Sequence, residues 1–383
     1  MHPLVIIGTG LAGYQLSKEW RRLNPDKPLV LFTLDDGAFY SKPLLSTALT
    51  QKKTAETLRM FSHEVMAKHL NATIHTHTRI QAIDAKQKTV QFNNTTMSFD
   101  QLVLACGADV IAPQFSGSEQ VIAINHLHHY AQFEASIKNK NHITILGAGL
   151  IGCEFANDLS NAGFEVHIVA PALSALDRLV PAKIGELLQA SLSERNVHWH
   201  LGTVASQLEK AKQGEQFLLT LENGECIETD LVLSAIGLKP HLDLARAAGL
   251  VTQRGICVNA YLETSEKDIY ALGDCAEVNG HFLPYIAPIL AGTRALAKTL
   301  QAKNASDRTA VIYPPMPIIV KTPAHPIVIC PPYGQTGEWS LEVSPEGIEA
   351  KFFDNDQQLQ GFILTQQKVK KRSEYTNQLS NLI

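Results

Sequence analysis

The chain has 383 residues, 45% of them hydrophobic and 18% charged, and its 33 basic and 37 acidic residues leave a formal charge of −4. That length suits roughly two to three domains of ~100–200 residues each, with enough apolar side chains to fill their cores. The charge balance offers no basic excess for nucleic acid or an anionic membrane, and no apolar run approaches the ~18 residues of a membrane span.

From the N-terminus, the first strand-like run spans Leu4 to Ile7, so near the initial methionine that no signal or transit peptide is expected. It opens the motif LVIIGTGLAG, in which Gly8, Gly10 and Gly13 lead into helical spacing at Leu16, Trp20 and Leu23. A second strand, LVLFT, ends at Thr33 with Asp35 and Asp36 just beyond, and YSKPLLS (Tyr40 to Ser46) follows. Ile74, Ile80, Ile83, Val90 and Phe92, set among polar residues, predict a β-meander, and LVLACGA (Leu102 to Ala108) predicts a closing strand.

The plan then repeats. HITILGAGLIG carries Gly147, Gly149 and Gly152, followed by Ile151, Phe155 and Leu159 at helical spacing. The next strand, VHIVA, ends at Ala170. Gln213–Gly214 and Asn223–Gly224 supply hairpin turns, and LVLSAIG (Leu231 to Gly237) closes the unit. The glycine motifs are offset by 139 positions and the closing strands by 129, which reads as an internal repeat. In each motif the first glycine permits a tight turn and the second lets backbone approach a pyrophosphate. The third lets helix pack on strand, and the phosphates meet the unpaired N–H groups of the helix N-terminus. The alternative is two chance glycine loops in unrelated α/β domains.

Past Pro240 come a helix, a strand, the segment DIYALGDCAE (Asp268 to Glu277) and a helix from about Pro288 to Leu300. From Tyr313 the chain turns to proline-punctuated strand, YPPMPIIVKTPAHPIVICPPYG. The expected fold is α/β, with two Rossmann-like three-layer dinucleotide-binding domains and a small α+β C-terminal domain. The boundaries are 1–112 with 240–312 for the first domain, 113–239 for the second and 313–383 for the third. Cys106, Cys153, Cys226, Cys257, Cys275 and Cys330 are scattered with no C-x-x-C pair, as expected of packed thiols in a reducing cytoplasm. No metal site is assigned.

Together the two glycine motifs, the LVLACGA strand and IYALGDCAE resemble the pyridine-nucleotide–disulfide oxidoreductase superfamily, the glutathione-reductase-like fold. The resemblance implies that the first domain binds FAD, tightly but non-covalently, and the second binds NAD(P)H. It places Asp274 on the ribityl chain, where the residue alone would read as a turn aspartate. It also points the helix near Pro288 at the flavin, its dipole favouring charge on the reduced ring. The implied cofactor contacts come from Gly8, Gly10, Gly13, Thr33, Ser41, Lys42, Pro43, Ala105, Gly107, Gly147, Gly149, Gly152, Glu154, Gly273, Asp274, Pro288 and Lys321. Thr33 and Ala170 stand where an acid often binds adenosine ribose, and APALSAL offers no Arg or Lys to a 2′-phosphate. NADH is therefore expected rather than NADPH.

YSKPLLS lies where disulfide members carry redox cysteines. It resembles instead the branch that feeds small iron–sulfur carriers, including the bacterial rubredoxin reductases. That resemblance implies that Lys42 lies near the flavin and pairs with Glu154, with Lys321 a third catalytic group. Read from the residues alone, Lys42 is a solvated loop lysine, whereas Lys321, a charge in a hydrophobic, proline-bounded strand, is expected to be engaged, the alternative being an edge-strand lysine facing water. Cys153, with no partner, reads as a helix-packing thiol. Electrons would pass from NADH to FAD and singly to rubredoxin, supporting alkane hydroxylation or oxygen defence. The rivals are a ferredoxin or flavorubredoxin reductase, a slow redox sensor and a membrane quinone reductase, for which the final QLSNLI is too short and too weakly amphipathic to anchor well. The basic run Lys368, Lys370, Lys371 and Arg372 is either a docking patch for an acidic carrier or a solvated helix face.

Overall fold

The computed structural model describes residues 2–211 and 216–382. The Gln213–Gly214 turn lies outside these residues.

The first unit is built from β1 (Leu4–Ile7), α1 (Leu11–Leu23), β2 (Leu29–Phe32), β3 (Thr73–His75) and β4 (Gln101–Leu104). Its strands form a parallel sheet in the order β4-β1-β2-β3, extended at the β4 edge by Ile269–Ala271 from far along the chain. The second unit repeats the plan with β5 (His142–Leu146), α2 (Leu150–Asn161), β6 (Glu165–Ala170), β7 (Val197–Leu201) and β8 (Leu231–Ser234). Its order is β8-β5-β6-β7, with Ile122–Ala123 on the β8 edge. The inner four strands thus share one topology in both units, as the repeat predicts. Continuous apolar runs such as LVII and LVLF suit strands buried on both faces, and β2 is buried throughout.

Each unit carries a three-stranded antiparallel meander, Ala82–Asp84, Thr89–Phe92 and Thr95–Ser98 in the first, and Ala205–Lys210, Phe217–Leu221 and Cys226–Thr229 in the second. The Asn223–Gly224 turn joins the last two, with Gly224 at φ +87°. Ile74, expected in the first meander, belongs instead to β3 at the sheet edge, and Ile80 is buried outside any strand. A five-residue window of alternating apolar residues does not distinguish an edge strand from a hairpin strand.

The C-terminal part is a five-stranded antiparallel sheet in the order Ile318–Val320, Ile327–Cys330, Leu359–Thr365, Gly347–Asp354 and Gly337–Ser344, closed by the short helix Arg372–Thr376. Its Val320, Ile327, Ile329, Ile348 and Ile363 join one apolar cluster with Ile143, Phe155 and Ile168 of the second unit and with Leu45, Ala48 and Leu58 that follow YSKP. Three parts of the chain therefore meet in one core beside α2. No helix among the described residues is long and apolar enough to cross a membrane.

Candidate functional site

The two glycine loops are built alike. Gly8 (φ +117°) and Gly147 (φ +111°) adopt backbone angles that suit glycine, and a Cβ on them would lie 2.1 Å from the Ala105 carbonyl and 2.6 Å from that of Ala235. This close approach is why β4 and β8 stop at Leu104 and Ser234, earlier than the sequence runs suggest. A Cβ on Gly13 or Gly152 would meet the carbonyl of Gly8 at 1.9 Å or of Gly147 at 2.0 Å. Gly10 and Gly149, the helix N-caps, face open space, with nothing within 4 Å of an added Cβ. Neither helix has an acid in its first turn or a side-chain cap. Their leading N–H groups are left for an anion, which is the cradle a pyrophosphate needs.

Gly8 and Gly10 open onto a cavity of about 1840 Å³, beyond the ~300–1,000 Å³ of a single small-ligand pocket. It is also lined by Thr33, Lys42, Pro43, Ala105, Gly107, Glu154, Asp274 and Lys321, which are drawn from all three parts of the chain. Leu150, Ile151 and Phe155 reach into it from α2, and Ser234, Ala235 and Gly237 from the end of β8. Gly13, Gly147, Gly149, Gly152 and Ser41 lie outside its lining; the Ser41 carbonyl instead accepts the Leu44 N–H at 3.0 Å. Gly273 and Pro288 face a small apolar pocket with Leu262, Leu272 and Tyr313. The helix expected near Pro288 spans Ile286–Thr299 (α3), and Tyr285, Ile286, Ala287 and Leu290, not Pro288, turn its N-terminal end to the cavity. At 3.6 residues per turn, Pro288 points to the opposite side from the cavity-facing residues.

At the end of β2 an acid stands two residues beyond Thr33. The Thr33 hydroxyl donates to Asp35 Oδ1 at 2.6 Å, and Asp36 pairs with Arg59 at 2.7 Å on the cavity wall.

The expected pairing of Lys42 with Glu154 is not what forms. Glu154, 3% exposed, pairs through Oε2 with Lys321 Nζ at 2.6 Å, and the same oxygen accepts from the Ser46 hydroxyl at 2.6 Å. Its Oε1 accepts the Lys321 backbone N–H at 3.2 Å. Lys321 Nζ also donates to the Pro43 carbonyl at 2.7 Å and to Ser46 Oγ at 2.8 Å. Lys321 follows the edge strand Ile318–Val320 and turns inward, so the gatekeeper reading fails. One turn on from Glu154, Asp158 accepts the N–H groups of Leu49 (3.0 Å) and Thr50 (2.8 Å), and Asn157 Oδ1 accepts that of Ala324 (3.1 Å). The polar face of α2 thereby clamps both the turn Lys42–Thr47 and the Lys321 segment. Sequence reasoning passed over Ser46, Asn157 and Asp158, although polar groups one turn apart on an otherwise apolar helix were a usable signal.

Lys42 is left facing Asp274 and Asp109. Burial pulls its ammonium below the ordinary lysine pKa, opposed by those two carboxylates. Burial raises Asp274, opposed by the charge of Lys42. Asp274 accepts no hydrogen bond from the described residues, so its carboxylate remains free to accept one from a ligand hydroxyl. His126, also on the wall and also missed, is pushed down to about 4, by burial first and then by the charge of Lys42. Cys153 is buried, donates to the Ala148 carbonyl at 3.4 Å and has its thiol pKa raised by burial, as a packing thiol should.

The model of the pyridine nucleotide-disulphide oxidoreductase family matches residues 2–305, and that of the rubredoxin binding C-terminal domain matches residues 310–379. A rubredoxin-NAD(+) reductase of Alcanivorax borkumensis is 44% identical over 99% of both chains. A nitric oxide reductase FlRd-NAD(+) reductase of Vibrio vulnificus is 36% identical over 99% of this chain and 98% of that one. The ferredoxin reductase of Rhodopseudomonas palustris shares the fold, with a TM-score of 0.86 at 23% identity over 97% of this chain and 93% of that one. With the family model over most of the chain and a relative 44% identical over nearly all of it, the chain belongs to the pyridine nucleotide-disulphide oxidoreductase family, in its rubredoxin-NAD(+) reductase branch.

Proposed function

We propose that this protein takes hydride from NADH onto FAD and passes electrons singly to rubredoxin. The observation that carries this reading is the single cavity joining the open Gly10 cradle to Leu150, Ile151 and Glu154 of the second unit. A dinucleotide on each unit would meet there. The flavin domain is assigned to 1–112 with 240–312, the nicotinamide domain to 113–239 and the carrier-facing domain to 313–383.

In this assignment Gly8 to Ala12 and the α1 N-terminus hold the FAD pyrophosphate, Thr33 with Asp35 receives the adenosine ribose, and Asp274 accepts from the ribityl chain. FAD, when bound, supplies the conversion of a two-electron hydride into single electrons. The chain's own part is electrostatic and positional. Lys42 and the α3 N-terminus place positive potential where a reduced ring gathers negative charge. Glu154 and Lys321 tie the second unit to the C-terminal sheet in the cavity wall, so the nicotinamide is offered against a rigid surface. No acid follows Ala170 closely and no cation lies in APALSAL, which leaves a 2′-phosphate without a partner and favours NADH.

Rubredoxin as acceptor is supported by the C-terminal domain match and by the 44% identical relative. The deciding experiment is steady-state turnover with purified rubredoxin or ferredoxin, and with NADH or NADPH. Faster turnover with ferredoxin or NADPH would overturn the assignment. Stopped-flow reduction of bound FAD by NADH addresses the sensor alternative, since bleaching far slower than turnover of a carrier would remove the reductase reading.

The basic run near the C-terminus is divided by the structure. Lys368 and Lys371 pair with buried Glu349 at 3.0 and 2.7 Å, whereas Lys370 and Arg372 form no ion pair among the described residues. Lys370, Lys371 and Arg372 are exposed, and a docking role would fall to these three.

A further inference from the structure

The second unit carries a group of side chains that the reaction does not use. His142 on β5, Glu165 and His167 on β6, and His198 and His200 on β7 come from three adjacent parallel strands. Pairing of His142 with Glu165, of His167 with His198 and of Val169 with His200 puts all five on one face. All five, with Glu225, stand outside the lining of the large cavity.

The contacts converge on Glu165. Its Oε1 lies 3.4 Å from His167 Nε2 and 3.5 Å from His198 Nε2, and its Oε2 lies 3.5 Å from His142 Nδ1. The candidate ligand atoms of Glu165, His167 and His198 all lie within 4.8 Å of one another. Ligands held ~2.0–2.2 Å from a tetrahedral ion stand roughly 3.3–3.5 Å apart, and the two separations from Glu165 Oε1 match that spacing.

The far side of His167 is ordered as a metal ligand's would be. His200 Nδ1 lies 2.8 Å from Glu225 Oε1, so that nitrogen carries the proton and donates it. In neutral His200, Nε2 is then an acceptor, and it takes the Nδ1–H of His167 at 3.0 Å. That leaves the Nε2 of His167 aimed at a carboxylate oxygen, a position that a proton or a metal ion can fill. A carboxylate fixing the tautomer of a ligating histidine is the common outer arrangement of such sites. His198 stacks on His167 with ring centroids 4.9 Å apart, and its side chain is 51% exposed.

We propose that Glu165, His167 and His198 bind one divalent transition-metal ion of the zinc class, with His200 and Glu225 as positioning residues. Two imidazoles and a carboxylate suit Zn²⁺, Ni²⁺ or Cu²⁺ rather than Mg²⁺ or Ca²⁺. Such an ion would clip β6 to β7, and metal held by the folded state alone raises the melting temperature.

The test uses the full-length holoprotein, stripped with chelator and titrated with Zn²⁺ by calorimetry. Co²⁺ serves as a spectroscopic probe. One equivalent should bind, Co²⁺ should give visible d–d bands, and saturating Zn²⁺ should raise the melting temperature. His198→Ala should abolish the bands, and Glu225→Gln should weaken Zn²⁺ binding by ~10-fold or more through His200. Cys226→Ser, in the adjoining strand, should leave binding unchanged. If His167→Ala does not fold, the half-exposed His198→Ala carries the comparison alone. Unchanged affinity and stoichiometry in His198→Ala, or no Zn²⁺ binding by the wild type at micromolar concentration, would overturn the proposal and leave a proton-sharing histidine chain.

Discussion

Glu154 and Lys321, 167 positions apart, form an ion pair at 2.6 Å in the cavity wall that ties the second unit's helix to the C-terminal sheet. The Lys321 side chain is 30% exposed and that of Glu154 only 4%, so loss of the lysine strands the more deeply buried charge. Lys321→Met should destabilise the protein by up to ~3–5 kcal/mol, the range for breaking a buried pair. It should also slow flavin reduction by NADH. Urea denaturation and stopped-flow absorbance check the two effects, and unchanged stability would show that Glu154 finds other partners.

Gly10 and Gly13 separate ligand binding from folding within one loop. A methyl on Gly13 would lie 1.9 Å from the Gly8 carbonyl, whereas one on Gly10 meets nothing within 4 Å. Gly13→Ala should therefore fold poorly, with low soluble yield. Gly10→Ala should fold normally as apoprotein yet carry less FAD, measured as the 450-to-280 nm absorbance ratio. A Gly10→Ala protein with full flavin would show that the loop does not approach the pyrophosphate.

Asp274 faces Lys42 without accepting a hydrogen bond from the described residues, and burial raises its pKa. Removing Asp274 relieves one desolvated carboxylate and leaves Asp109 as the counter-charge of Lys42. Asp274→Ala should thus still fold as apoprotein but purify with little FAD. Calorimetric titration of both apoproteins with FAD checks it, and equal affinities would remove Asp274 from the site.

Glu349 sets a pH limit on the C-terminal sheet. Burial opposes its ionisation, but hydrogen bonds from Lys371, Tyr375 and Lys368 outweigh that and hold it at about 2. A carboxylate held below its ordinary value of ~4.3 contributes stability that is fully present above that pH. That contribution is lost as pH falls toward about 2. Urea midpoints measured from pH 6 down to pH 3 should fall more steeply for the wild type than for Glu349→Gln, and parallel curves would contradict the network.

Much of the fold was legible because its signals are local. A glycine that must turn sharply, a strand buried on both faces and a helix that follows are fixed by backbone geometry within about a dozen residues, and two copies of that pattern disclose the repeat. The site was legible in its members more than in its pairings. Lys42, Glu154, Asp274 and Lys321 all reach one cavity, yet Glu154 meets Lys321 rather than Lys42. Pro288 turns away from the cavity to a small apolar pocket, while Tyr285, Ile286 and Ala287 at the start of α3 face it, a helix phase that only the packing of α3 sets. The histidines of VHIVA and VHWHL carried no signal in the linear sequence, since only in-register pairing of β6 with β7 brings them together.

By itself the sequence determined two nucleotide cradles, the place of each glycine and a site with no thiol pair in YSKPLLS, all consequences of short-range sterics and residue chemistry. Only the tertiary structure decided which charge neutralises which. Val320, Ile327 and Ile329 pack into the same core as Phe155 and Leu45, and that long-range burial delivers Lys321 to Glu154 and leaves Lys42 to Asp274.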